Sequence, residues 1–118
     1  MRRYLHLHGI TSGNGGRASP VDLRIGELRI EVKTASLGVD GTFQFNHVRL
    51  DRPWSHLLCL GICPDRLLFR GWPKGAVAEG VAGKLVRMAE EQAVTFKLTK
   101  RADAMQPIED LPATIRTL

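Results

Sequence analysis

Hydrophobic and polar positions alternate with a period of two through the stretch from Val21 to Lys33. Val21, Leu23 and Ile25 are interleaved with Asp22 and Arg24, and Leu28, Ile30 and Val32 with Arg29, Glu31 and Lys33. This is the pattern of two half-buried strands. Between them Gly26-Glu27 suits a two-residue type II′ hairpin turn. A tip of two residues fixes the register, setting Ile25 opposite Leu28, Arg24 opposite Arg29, Leu23 opposite Ile30 and Asp22 opposite Glu31. Facing residues share one side of the ribbon. One face is therefore apolar (Val21, Leu23, Ile25, Leu28, Ile30, Val32), and the other carries Asp22, Arg24, Arg29, Glu31 and Lys33.

The rest of the chain divides around this hairpin. Residues 1–20 form a basic, Gly-rich arm, with small residues from Ser12 to Gly16 marking a loop and Arg2 to His8 open to strand or short helix. Residues 21–100 form the core, and 101–118 a C-terminal tail that holds Pro107 and Pro112 and is read as loose or lying on the surface. Gly38 to Thr42 reads as a loop. The segment FQFNHVRL, Phe43 to Leu50, fits strand or helix, and a short helix is the expectation. Leu57 to Ile62 reads as a buried strand, Pro64-Asp65 as a turn and Arg66 to Trp72 as the hairpin partner. Val77, Val81, Leu85, Met88 and Ala89 lie on one helical stripe, although Gly80 and Gly83 weaken a helix. Val94 to Thr99 alternates as a strand. The predicted architecture is α/β, a central mixed sheet built on the hairpin and flanked by helices near 43–51 and 75–93.

Composition narrows the class. A chain of 118 residues, 43% hydrophobic and 25% charged, suits one globular domain. Lys plus Arg number 17 against 12 acids, a net charge of +5, and the pI is near 9.8. That balance favours polyanionic partners such as nucleic acid, with a merely basic protein as the alternative. Cys59 and Cys63 are too far apart along one strand to bridge, so both are expected to be reduced core thiols of a cytoplasmic protein. The longest apolar run, Leu57 to Cys63, is too short to span a membrane, and MRRYLHLHG lacks the apolar stretch of a secretory signal. The four histidines and two cysteines lack the paired spacing of a zinc site. The GNGG run lacks the Gly-Lys-Ser/Thr ending of a phosphate loop.

The polar face of the hairpin carries the candidate chemistry. Directly opposed carboxylates repel, and a neighbouring cation or a bound metal offsets that. Magnesium takes one or two carboxylates with waters and phosphate oxygens, and Asp22 and Glu31 are spaced to grip it from two sides. Lys33, two residues beyond Glu31 on the same face, reaches the same volume and there steers or deprotonates a water, or steadies phosphate charge. Metal, water and phosphate meeting at one point is what phosphodiester hydrolysis needs. Arg24 and Arg29 are placed for flanking phosphates. The competing interpretation is a solvated hairpin face with salt-bridging charges.

The run SPVDLRIGELRIEVKTAS, with Asp22 and then Glu31-Val32-Lys33, resembles the PD-(D/E)xK nuclease superfamily of restriction endonucleases, mismatch-repair nickases and Holliday-junction resolvases. The resemblance continues through FQFNHVRLDRPWSHLLCLGICPDRLLFRGWPKG and covers about Pro20 to Gly75. It implies a restriction-endonuclease-like fold and a magnesium-dependent endodeoxyribonuclease, with manganese as a substitute metal. Asp22 and Glu31 then look like metal ligands, the carbonyl of Val32 completes the shell, Lys33 matches the catalytic lysine, and Gln44 sits where several members place an auxiliary glutamine. Two features depart from the family. Val21 separates Pro20 from Asp22, and residues 1–20 contain no acid and no convincing helix ahead of the first strand. The second departure fits a minimal domain, a trimmed start, or a partner subunit that completes the N-terminal part of the core.

Arg17 in the Gly-rich loop, and Asn46, Arg49 and Arg52 after the motif, are further candidates for DNA contacts. Trp54 and Trp72 are read as core. Lys74, Lys84, Arg87, Lys97, Lys100 and Arg101 are read as a solvated basic surface that doubles as a DNA footprint. A domain this small cannot surround a duplex, so a homodimer is expected. Two alternatives accompany the nuclease: a nucleic-acid-binding module with the same fold that does not cut, and a junction-resolving or RNA-directed nuclease.

Overall fold

The computed structural model describes residues 13–14, 23–88 and 94–116. Its strands are β1 (Gly13–Asn14), β2 (Leu23–Ile25), β3 (Leu28–Ser36), β4 (Thr42–Val48), β5 (His56–Ile62), β6 (Leu67–Pro73), β7 (Leu85–Arg87), β8 (Phe96–Arg101) and β9 (Gln106–Pro107). The described residues also form two short helices, α1 (Lys74–Ala78) and α2 (Leu111–Arg116), and two 3-10 turns, Ala102–Ala104 and Ile108–Asp110. Among the described residues no helix is long and apolar enough to cross a membrane. The chain is thus a small mixed α/β domain with few helices. Six strands form one sheet in the order β1-β2-β3-β5-β6-β9, and three form another in the order β4-β8-β7.

The hairpin register follows the alternation. Leu23 pairs with Ile30, Arg24 with Arg29 and Ile25 with Leu28. Gly26 at the tip has φ 57, and Glu27 is not among the residues with positive φ, as the first position of a type II′ turn requires. Past the hairpin, β3 pairs in parallel with β5, from Ile30 opposite His56 to Ser36 opposite Ile62. Strand β5 then pairs antiparallel with β6. A central strand must bury both faces, which is why Leu57-Leu58-Cys59-Leu60 reads as a continuous apolar run.

Each face of the large sheet has its own cover. On one side Leu23, Ile30, Leu58 and Phe69 pack with Leu111 and Ile115 of α2, and Ile25, Leu28, Val32, Leu60 and Ile108 join at the margin. The tail beyond residue 100 is therefore held down by its apolar residues and helps close the core. On the other side Leu57, Cys59, Leu68 and Trp72 pack with Phe43, Phe45 and Val48 of β4 and Leu98 of β8. Cys59 and Cys63 are buried and free, and burial pushes the Cys59 thiol up.

Two helical expectations are corrected. The segment near 43–51 is strand β4, paired with β8. Its register shifts between Phe45 and Val48, and His47 there has φ 59. The bulge inserts one residue, so Phe43, Phe45 and Val48 all point inward and strict alternation fails. In place of a helix over 75–93, α1 stops at Ala78, and β7 follows at Leu85–Arg87. Gly80, at φ 84, takes the chain out of the helix in the left-handed region. Among the described residues, the large sheet is covered by a second sheet on one face and by the short helix α2 on the other.

Candidate functional site

Alternation along β3 sends Glu31, Lys33 and Ala35 to the face that meets the second sheet, and Ile30 and Val32 to the face under α2. Parallel pairing sets Glu31 beside Leu57 and Lys33 beside Cys59. Glu31 is only 8% exposed, and among the described residues it is the one buried side chain with a formal charge. Lys33 is half-buried. Its ammonium lies close enough to Cys59 to oppose part of the upward push that burial gives the thiol, as does that of Lys100. Arg24 and Arg29, directly opposite each other at the open end of this face, are both exposed. Like charges so placed repel and turn outward to solvent, which leaves two guanidinium groups beside the Glu31–Lys33 strand.

Of the residues singled out in the sequence, Arg17 and Asp22 lie outside the described residues, as does the arm segment Arg2 to His8. Arg24, Arg29, Glu31, Val32 and Lys33 are brought together on β2 and β3. Gln44 and Asn46 stand on the outward side of β4, exposed, alternating with inward-pointing Phe43 and Phe45. They line an open groove of about 400 Å³ with Thr34, Ala35 and Ser36 of β3 and with Gly38, Asp40 and Thr42. Arg49 makes a two-pronged ion pair with Asp51, Nε to Oδ1 at 3.0 Å and Nη2 to Oδ2 at 2.6 Å, so its charge is largely answered within the protein. Among the described residues no group of three or more His, Cys, Asp or Glu side chains is gathered for a metal. A centre of two carboxylates and a carbonyl would not form such a group.

Two of the six basic residues read as a solvated footprint turn inward instead. Lys74 Nζ donates to the carbonyl of Arg52 and sits 4.9 Å from the centre of the Trp54 ring. Trp54 Nε1 donates to the carbonyl of Arg49 at 2.7 Å. Lys100 Nζ donates to the carbonyl of Ala82 at 2.8 Å and lies 5.5 Å from the Trp72 ring. These lysines hold loops against tryptophans, a cation–π arrangement, and are not spare charge for a phosphate. Trp54 and Trp72 are both buried, as the sequence suggests.

Sequence reading missed the groove and a clamp at the start of β5. Ser55 N–H and Oγ–H both donate to the carbonyl of Arg29, and Arg29 N–H donates back to Ser55 Oγ at 2.9 Å. This locks the hairpin strand to β5 just ahead of Glu31. The remaining lone pair of Ser55 Oγ faces His56 Nδ1 at 3.0 Å, which favours the tautomer with a proton on Nδ1. Burial lowers the His56 pKa from its usual 6.5. The unfolded chain therefore binds more protons than the native one as pH falls through that value, and stability declines with it. Urea midpoints at pH 7.5 and pH 5.5 are expected to differ less in His56→Gln than in the parent. Equal pH slopes would contradict a half-buried imidazole whose pKa burial lowers.

Comparison of the chain with family models, with curated proteins and with solved structures finds no match in any of the three.

Proposed function

We propose that this chain is a magnesium-dependent endodeoxyribonuclease of the PD-(D/E)xK type, with a restriction-endonuclease-like fold. The observation that carries the reading is the burial of Glu31 beside half-buried Lys33 on the one strand face that also bears Arg24 and Arg29. Taking a carboxylate out of water is unfavourable unless cations or hydrogen bonds compensate it. A protein that only needed a soluble hairpin would leave this residue at the surface. The setting supports the reading too. The Glu31–Lys33 strand lies inside a mixed sheet, with an antiparallel neighbour on one side and a parallel one on the other.

The residues fit the ion. Glu31 would supply a hard oxygen ligand and Val32 its carbonyl on the same strand, while Asp22, the second carboxylate that the resemblance implies, lies outside the described residues. Bound there, magnesium would polarise the scissile phosphate and lower the pKa of an attacking water. Lys33 would hold that water or steady the phosphate charge, and Arg24 and Arg29 would bind the flanking phosphates. The excess of basic residues favours DNA as partner. Pairing of two copies would set one centre against each strand of a duplex.

A plasmid-nicking assay tests the reading. Relaxed and linear products are expected with magnesium or manganese and none with EDTA. Cleavage that ignores EDTA would refute the metal centre. Tight DNA binding with no cutting under any metal would instead favour the non-catalytic binding module, and cutting confined to four-way junctions would favour a resolvase.

A further inference from the structure

The groove between β3 and β4 is chemically unlike the strand face beside it. Lys33, Arg24 and Arg29 are cationic, but the groove begins one residue past Lys33 and is lined by hydroxyls and amides. Its charged group is Asp40, an acid. Thr42 donates to Asp40 Oδ1 from its hydroxyl at 2.8 Å and from its backbone N–H at 3.2 Å. Those bonds hold the Asp40 carboxyl below the usual range, so it stays ionised. An ionised carboxylate at one end disfavours phosphate. With Asp40 and Thr42 engaged with each other, Gln44, Asn46, Thr34 and Ser36 remain, and none of these four side chains has a hydrogen-bond partner among the described residues.

Gln44 and Asn46 stand two residues apart on one strand and project to the same side. Their heads are therefore about 7 Å apart at the root. Each offers a carbonyl oxygen and an amide NH2 side by side. That donor–acceptor pair matches the N6 and N7 edge of adenine, which Asn and Gln bind with two hydrogen bonds. Thr34 to Ser36 follow Lys33 directly on β3.

We infer that the β3–β4 groove is a base-reading subsite in which Gln44 and Asn46 select adenine. This rests on the DNA-hydrolase reading for its substrate. It moves Gln44 from a supporting role at the metal to a specificity role. The bulge at Asn46–His47 interrupts the regular pairing of β4 with β8, which resumes at Val48 opposite Phe96.

Competition binding separates the two claims, because it needs no cleavage. Fluorescently labelled duplexes would be scanned base pair by base pair with the full chain in calcium buffer. A preference for adenine of about tenfold is expected at one position. Gln44→Ala or Asn46→Ala is expected to reduce it to near parity, with affinity for the disfavoured duplex unchanged within about twofold. Gln44→Glu is expected to shift the preference toward cytosine, whose N4 group donates to a carboxylate. Circular dichroism melting of each variant shows that it is folded. Absence of DNA binding, binding with no base preference, or a preference that survives both alanine substitutions would overturn the inference. A preference that depends on the amides in a protein that cuts nothing with magnesium would leave the subsite standing and remove the nuclease reading.

Discussion

Lys33→Ala is expected to lower magnesium-dependent DNA cleavage by about 10²–10³-fold, the usual loss when one group that stabilises transition-state charge is removed. DNA affinity is expected to hold within a few-fold, since Arg24 and Arg29 remain exposed on the same face. The fold is expected to tolerate the change because Lys33 is only half-buried. Lys33→Arg is not a conservative control, for a planar guanidinium cannot replace a compact ammonium that orients a water. Initial nicking rates at saturating DNA, with anisotropy for affinity and thermal melting for folding, separate the effects. Cleavage that persists at the parent rate in Lys33→Ala would remove the lysine from the chemistry.

The largest loss of stability is expected from Phe43→Ala. The Phe43 side chain is fully buried, with its ring centre 6.0 Å from that of Phe45. Its ring lies directly over Gly61 on β5, where an added Cβ would stand 2.5 Å from Cζ. Truncating such a residue typically costs about 3–5 kcal/mol, against a total of about 5–15 kcal/mol for a domain. Urea denaturation is expected to show a midpoint lowered by more than about 1 M. Gly61→Ala tests the same contact from the other side, and overpacking there is expected to cost about 1–3 kcal/mol. In a Phe43→Leu background the Gly61→Ala penalty is expected to shrink, because the two sites share one contact. Additive penalties would mean that the ring and the glycine do not constrain each other.

The hairpin was legible because both of its strands alternate with a period of two and Gly26 marks the tip between them. The β5–β6 pair was legible for a related reason: Leu57 to Ile62 is apolar throughout and is bounded by Pro64-Asp65. Strand β4 was hidden by its bulge. With His47 displaced, the inward residues fall at Phe43, Phe45 and Val48, a spacing that mixes strand and helix periods. Read as a strand, Thr42, Gln44 and Asn46 would have emerged as one polar edge. The stripe from Val77 to Ala89 misled because Val81 and Leu85 happen to keep helical spacing while Gly80 ends the helix. Val81 is in fact exposed. At the candidate site, alternation foretold that Glu31, Lys33, Arg24 and Arg29 share a face. The depth at which Glu31 is buried depends on the second sheet, which local pattern does not reveal.

The connection from β3 to β5 is itself a layer of the core. A chain leaving Ser36 must lay β4 against β8 before it returns at His56 to pair with β3. Neither sheet can melt without stripping the apolar cover from the other, so the molecule is expected to lose its structure as a single cooperative unit. Amides in β3, β5 and β8 should then exchange with solvent at one common free energy, that of global unfolding.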